Sequence, residues 1–234
     1  MQNKEENEKQ LLMNLSSFSV GIFDVNGVLI DSNLANAHAM AQGFTDDPTV
    51  QQRIVDLYLK LTGIDRGNKI RIIQDQIVGI PFGEKEFELR WERFKTLGRR
   101  SMLKAPLTEG CNEVLAEIGK RKITRVALSN TPLAELQETL ATRRLDSLLD
   151  LIRGGGDWPK SESLVRLLNE FHFVPAECLF FGDGKGDLAA AIYAGVPFVA
   201  IDSGTGQFDT EEGFSGPYKS LAHWGREELG MRSA

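Results

Sequence analysis

Four short stretches of this chain carry residues able to handle a phosphoryl group, three directly after apolar runs and one before a helical segment. The run over residues 17–23 is followed by Asp24-Val25-Asn26-Gly27, and the run over 123–128 by Ser129-Asn130-Thr131. The run beginning at Cys178 passes into Gly182-Asp183-Gly184-Lys185-Gly186-Asp187, and Lys160 stands just before a helical segment. A carboxylate such as Asp24 is a candidate nucleophile that forms an aspartyl-phosphate. Mg²⁺ favours a few carboxylate oxygens together with substrate phosphate and water. Asp24 and Asp183 are its candidate ligands, with Asp187 as a third ligand or an anchor behind them. Ser129 is a hydrogen-bond donor to a phosphate oxygen, and Lys160 a counter-charge. Backbone N–H groups near Gly27 and Asn130 add donors at helix starts. Phosphoryl transfer spreads charge over three equatorial oxygens, and such a clamp answers that need. Each residue alone has a plainer reading. Asn26-Gly27 is a common hairpin turn, Ser129 to Thr131 suit a helix cap, and Lys160 suits a solvated surface.

The elements that would bring these residues together can be read from patterning. Residues 17–25, 123–130, 148–154, 178–184 and 197–201 hold apolar runs of strand length, as expected of strands buried on both faces of a parallel sheet. Helical patterns fill 111–121, 132–144, 161–172 and 187–195 between them. This strand–helix alternation predicts an α/β fold, a Rossmann-like doubly wound parallel sheet. Ligands of such sheets bind beyond the carboxyl ends of the strands, where all the candidates fall. Residues 33–103 break the alternation. They show helical patterns only, punctuated by Gly63, Gly79, Pro81 and Gly83, which predicts a helical cap inserted after the first strand. The expected division is a polar extension over 1–17, a core of 18–32 with 104–234, and the cap.

Composition fits this picture. With 234 residues, 41% hydrophobic and 26% charged, the chain can bury a core without disulfides. A formal charge of -6 argues against nucleic acid as a partner. Cys111 and Cys178 have no metal-site spacing and are expected as buried, reduced thiols. No apolar run has the ~18 residues of a membrane span, and the polar, acidic start is unlike a signal peptide. The cytoplasm is the expected location, with no membrane partner. Monomer and dimer both stay open.

With those residues placed, the chain closely resembles the haloacid dehalogenase-like superfamily of hydrolases. The first motif stands as FDVNGVLIDS, residues 23–32; the second as VALSN, ending at Ser129 and Asn130; the third as Lys160; and the fourth as Gly182, Asp183 and Asp187, followed by AAAIYAG. Four motifs in order and at suitable spacing are specific where one would not be. The resemblance covers residues 18–202. It implies a Rossmann-like core, a helical cap, Mg²⁺ and a small phosphorylated metabolite, including sugar phosphates, as substrate. It also implies that the residue at position 26 lends its backbone carbonyl to the metal.

Asn26 departs from the pattern. Phosphatases of this superfamily carry Asp there, which protonates the leaving alcohol and then activates water. An amide cannot do this, and general acid–base catalysis contributes roughly 10²–10⁴-fold. Metal and phosphate binding are expected to persist while turnover suffers. Three readings stay open: a hydrolase that tolerates Asn26, a phosphate-ligand binder or regulator of the same fold, and a substitution made to trap substrate. In the cap, Arg66 and Lys69 are the candidate substrate contacts, with His38 and Asn33 behind them, and a solvated helix face is the alternative. Lys60 and Lys69 are also the lysines a phosphonate-cleaving relative would need.

Overall fold

In the computed structural model, residues 18–79, 83–155, 158–202, 206–209 and 211–232 are described. The 1–17 extension lies outside them. Six parallel strands form one sheet: β1 (Val20–Phe23), β2 (Thr124–Pro132), β3 (Leu151–Gly155), β4 (Cys178–Gly182), β5 (Phe198–Ile201) and β6 (Ser215–Tyr218). Their order is β3-β2-β1-β4-β5-β6, so the sheet grows in both directions from β1.

The middle of the sheet is enclosed because its strands have no polar face. All side chains of β1, β4 and β5 are buried. Alternation sends neighbouring residues to opposite faces. Phe23 and Phe181 therefore stack on one face at 4.5 Å, with the buried Trp224 edge-on to Phe181, while Ile22 and Phe180 enter the other. Helices α5 (Cys111–Lys120) and α6 (Leu133–Thr142) follow in the chain, then α7 (Lys160–Phe171), α8 (Lys185–Ala194) and α9 (Leu221–Leu229), numbered after the four helices of the insert described next. β6 escapes sequence reading: Ser-Gly-Pro-Tyr has no strand propensity and is placed by pairing with β5 at the sheet edge.

Between β1 and β2 lie α1 (Asn33–Phe44), α2 (Pro48–Leu59), α3 (Arg66–Ile73) and α4 (Glu84–Lys104). Asp47 caps α2, accepting from the Thr49 and Val50 N–H groups ahead of Pro48. Asp65 caps α3 through the Asn68 N–H. A π-helical turn, Gln74–Val78, ends α3 at the left-handed Gly79. These helices bury their own cluster, including Met40, Ile54, Ile70 and Phe94.

The insert meets the core along a seam. Arg66 pairs with Glu135 at 2.9 Å, Arg99 with Glu138 at 2.6 Å, and the Gln207 amide donates to the Leu59 carbonyl at 3.0 Å. Backbone also meets backbone: a Cβ on Gly63 would lie 2.7 Å from the Gly186 Cα. Glycine permits that approach.

Candidate active site

Strand order reverses between β1 and β4, and the carboxyl ends of these neighbours deliver Asp24 and Asp183 to one crevice. Asp187 joins from the first turn of α8, and Lys160 from the first residue of α7. All four side chains are buried. The Lys160 ammonium donates to Asp24 Oδ1 at 2.5 Å and to Asp187 Oδ1 at 2.6 Å. Asn33 donates to Asp183. Gly27 has φ of 86°, and a side chain there would run into the Asp183 carboxylate.

The electrostatics follow from that crowding. Burial disfavours the carboxylate form and lifts Asp24 to about 6; Lys160 pulls against this, and Asp187 adds to it. Burial, with Asp24 and Asp187 adjacent, holds Asp183 well above the usual carboxylate range. Lys160 is raised: burial works against its charge, but Asp187 and Asp24 outweigh it. One ammonium among three carboxylates leaves the cluster short of positive charge. One oxygen from each of Asp24, Asp183 and Asp187 lies within 4.8 Å of the others, and Asp187 Oδ2 is buried without a hydrogen-bond partner. That donor set fits a hard divalent cation.

Ser129 is buried in β2, where the register with β3 shifts after Leu128, and its hydroxyl accepts the Thr131 N–H at 3.1 Å. Asn130 turns its amide to the insert, donating to the Gly63 carbonyl at 3.0 Å. The Gly27 N–H is spent inside its own turn on the Ile30 carbonyl at 2.8 Å, which removes it from the donors expected for a phosphate. Asn26 is held on both sides: Oδ1 accepts from Ser32 Oγ at 2.7 Å and Asn36 Nδ2 at 3.3 Å, and Nδ2 donates to Thr131 Oγ1 at 3.4 Å.

Arg66 and Lys69 share α3 but differ in what they meet. Arg66 is committed to Glu135 and lies over the Trp91 and Phe94 rings. Lys69 is buried, its ammonium 4.1 Å from the Tyr58 ring centroid. His38 and Lys60 are exposed. Trp158, near Lys160 in sequence, stacks under Arg166 at the surface. Cys111 and Cys178 are buried free thiols, pushed up to about 12 by burial. Tyr58 and Asn36 went unread in the sequence. Asn33 and Asn36, three apart in an alanine-rich helix, were the available signal for a polar face.

The sequence profile of the Haloacid dehalogenase-like hydrolase family matches residues 21–201. The chain belongs to the haloacid dehalogenase-like hydrolases. Among haloacid dehalogenase-like relatives, a phosphoglycolate phosphatase of Haemophilus influenzae is 27% identical over 194 residues, 78% of this chain and 84% of that protein. In the same fold, a Clostridium acetobutylicum protein described as a predicted phosphatase superimposes with a TM-score of 0.75 at 15% identity, over 92% of this chain and all of its own. CbbY from Rhodobacter sphaeroides, solved in complex with phosphate, gives a TM-score of 0.65 at 17% identity, over 79% of this chain and 86% of its own. Among the described residues, no helix of this haloacid dehalogenase-like hydrolase is long and apolar enough to cross a membrane.

Proposed function

We propose that the protein hydrolyses small phosphate monoesters through an aspartyl-phosphate at Asp24, and that residues 33–103 act as a lid over this site. The observation that carries the reading is the buried cluster of Asp24, Asp183, Asp187 and Lys160 at the strand-order reversal. The names of the phosphoglycolate phosphatase relatives support the same reaction class. Asp24, Asp183 and Asp187, with the Asn26 backbone carbonyl, would hold Mg²⁺, which supplies charge to the phosphoryl oxygens.

The chain's own residues do the rest. Lys160 holds one oxygen of Asp24 and so orients the carboxylate for attack on phosphorus. That attack forms the aspartyl-phosphate and breaks the bond to the leaving oxygen, which takes its proton from solvent. Ser129 would donate its hydroxyl to a phosphoryl oxygen, and Asn130 holds the Gly63 loop beside the Asp24 crevice. Water then attacks the phosphorus and restores Asp24. Neither step receives a proton relay from residue 26, whose amide is tied to Ser32, Asn36 and Thr131.

The same amide favours a second reading, a ligand-binding protein with weak turnover. Asp fits the site of Asn26 without rearrangement, since Ser32 and Asn36 would donate to one oxygen and the Thr131 hydroxyl to the other. The test is Mg²⁺-dependent phosphate release from a panel of small phosphate esters, with the chain beside Asn26→Asp. The expected result is measurable turnover that rises by roughly 10²–10⁴-fold in Asn26→Asp. Similar turnover in both would move the search for a proton donor into the lid. Release from neither would sink the phosphatase reading.

A further inference from the structure

Each of the three carboxylates in the crevice has one oxygen held by a protein N–H donor. Lys160 holds Oδ1 of Asp24 and Oδ1 of Asp187, at 2.5 and 2.6 Å. Asp183 is held differently, its Oδ2 accepting from Asn33 Nδ2. Lys160 opens α7 in the core, whereas Asn33 is the first residue of α1 and so of the insert's helices. A carboxylate has two oxygens, and a hold on one leaves the other for a cation. The insert thus gives one candidate metal ligand the support that the core gives the other two.

A second contact from the insert reaches the same residue. The buried Thr62 hydroxyl donates to the Asp183 backbone carbonyl at 3.5 Å. That approach needs glycine, since a Cβ on Gly184 would lie 2.6 Å from the Thr62 carbonyl carbon. At the other grip, the Asn33 amide occupies the space that a side chain on Gly27 would fill. The start of the insert is also spent on the core site rather than on its own helix. Ser32 is the N-cap residue of α1, yet it makes no capping bond, and its hydroxyl goes to Asn26 Oδ1 at 2.7 Å.

We infer that Asn33 and Thr62 are positioning residues for the metal ligand Asp183, so that the seating of the insert and the affinity for Mg²⁺ raise each other. Asn33 fixes the plane of the carboxylate, and Thr62 fixes the backbone that carries it. A coupling of this kind is reciprocal: whatever the contacts do for the cation, the cation does for the contacts. The inference goes beyond the phosphatase reading. It rests on that reading's assignment of Mg²⁺ to the acidic cluster and needs no turnover.

The test is Mg²⁺ binding by calorimetry on the full chain, with no ester present. Asn33→Ala should weaken binding by about 10- to 100-fold, the usual effect of losing the partner behind a metal ligand. Thr62→Val should weaken it less, and Thr62→Ser, which keeps the hydroxyl, should restore it. Asp47→Ala controls for a general loss of insert stability. It removes the cap on the Thr49 and Val50 N–H groups of α2, and should leave Mg²⁺ affinity nearly unchanged. The reciprocal arm is amide hydrogen exchange at Leu61 and Ile64, which close the turns on either side of Thr62. Mg²⁺ should slow both amides in the unaltered chain, and slow them less in Thr62→Val. Unchanged affinity in Asn33→Ala overturns the inference. So does an equal loss in Asp47→Ala, which would make insert stability rather than this contact the cause. Exchange that ignores Mg²⁺ overturns the reciprocity. An unaltered chain that binds no Mg²⁺ removes the metal from the reading above, and the inference with it. If Mg²⁺ binds and responds to Asn33→Ala while no ester is hydrolysed, the phosphatase reading fails and the inference stands.

Discussion

Lys160 and Lys69 are both lysines buried within one crevice, and they are stabilised in opposite ways. Lys160 bridges two carboxylates at 2.5 and 2.6 Å, so its charge is spent on architecture. Lys69 rests on a tyrosine ring, with no carboxylate at ion-pair distance among the described residues. On the strand-end side acids and ammonium are in contact, while on the insert side an ammonium is set against a ring.

The largest predicted effect lies on the paired side. Lys160→Met leaves Asp24 and Asp187 buried without their counter-charge, and removing one partner of a buried pair costs about 3–5 kcal/mol. Chemical denaturation without Mg²⁺ should show that loss, and a much smaller one with Mg²⁺ present. Lys69→Met should cost less than about 1 kcal/mol, since only a ring contact is lost. If the two substitutions cost the same, the contrast between the lysines is wrong.

Metal and pH sharpen the comparison further. Asp24 and Asp183 sit above their ordinary values in the fold without metal. Groups raised in this way add stability below the unfolded carboxylate pKa and lose it as pH rises through the folded one. For Asp24 that window runs from 3.8 to about 6. The Tm gain from Mg²⁺ should therefore be small at pH 5 and larger at pH 7.5, as the cation stops competing with protons. Equal gains at both would show that the cluster does not hold the metal. The smallest effect belongs to the seam: Glu135→Gln weakens the hold on Arg66, and should lower Tm by only a few degrees.

Most of the sheet was legible because its strands are apolar on both faces, and a continuous apolar run needs no partner to be read. β6 was not, since Ser215 to Tyr218 becomes a strand only by pairing with β5. The paired residues were legible for a similar reason. Asp24, Ser129, Lys160, Asp183 and Asp187 fall at strand ends or helix starts, positions that topology alone sends to one rim. The insert side was harder. Arg66 and Lys69 are three residues apart on one helix, and nothing local separates a cation that meets Glu135 from one that meets Tyr58. That difference arises from contacts across 69 residues in one case and 11 in the other, made by packing rather than by pattern. The Gly27 N–H, in contrast, is satisfied inside its own tight turn, a local pairing that the Asn26-Gly27 sequence does not specify.

The seam between insert and core combines two kinds of contact with different consequences. Gly63 against Gly186 is backbone on backbone, with no rotamers to compress, so it fixes how near the insert can come to the core. Arg66–Glu135 and Arg99–Glu138 are attractive and partly open to solvent ions, so their pull weakens as ionic strength rises. Ionic strength can therefore loosen the seam without changing its distance of closest approach.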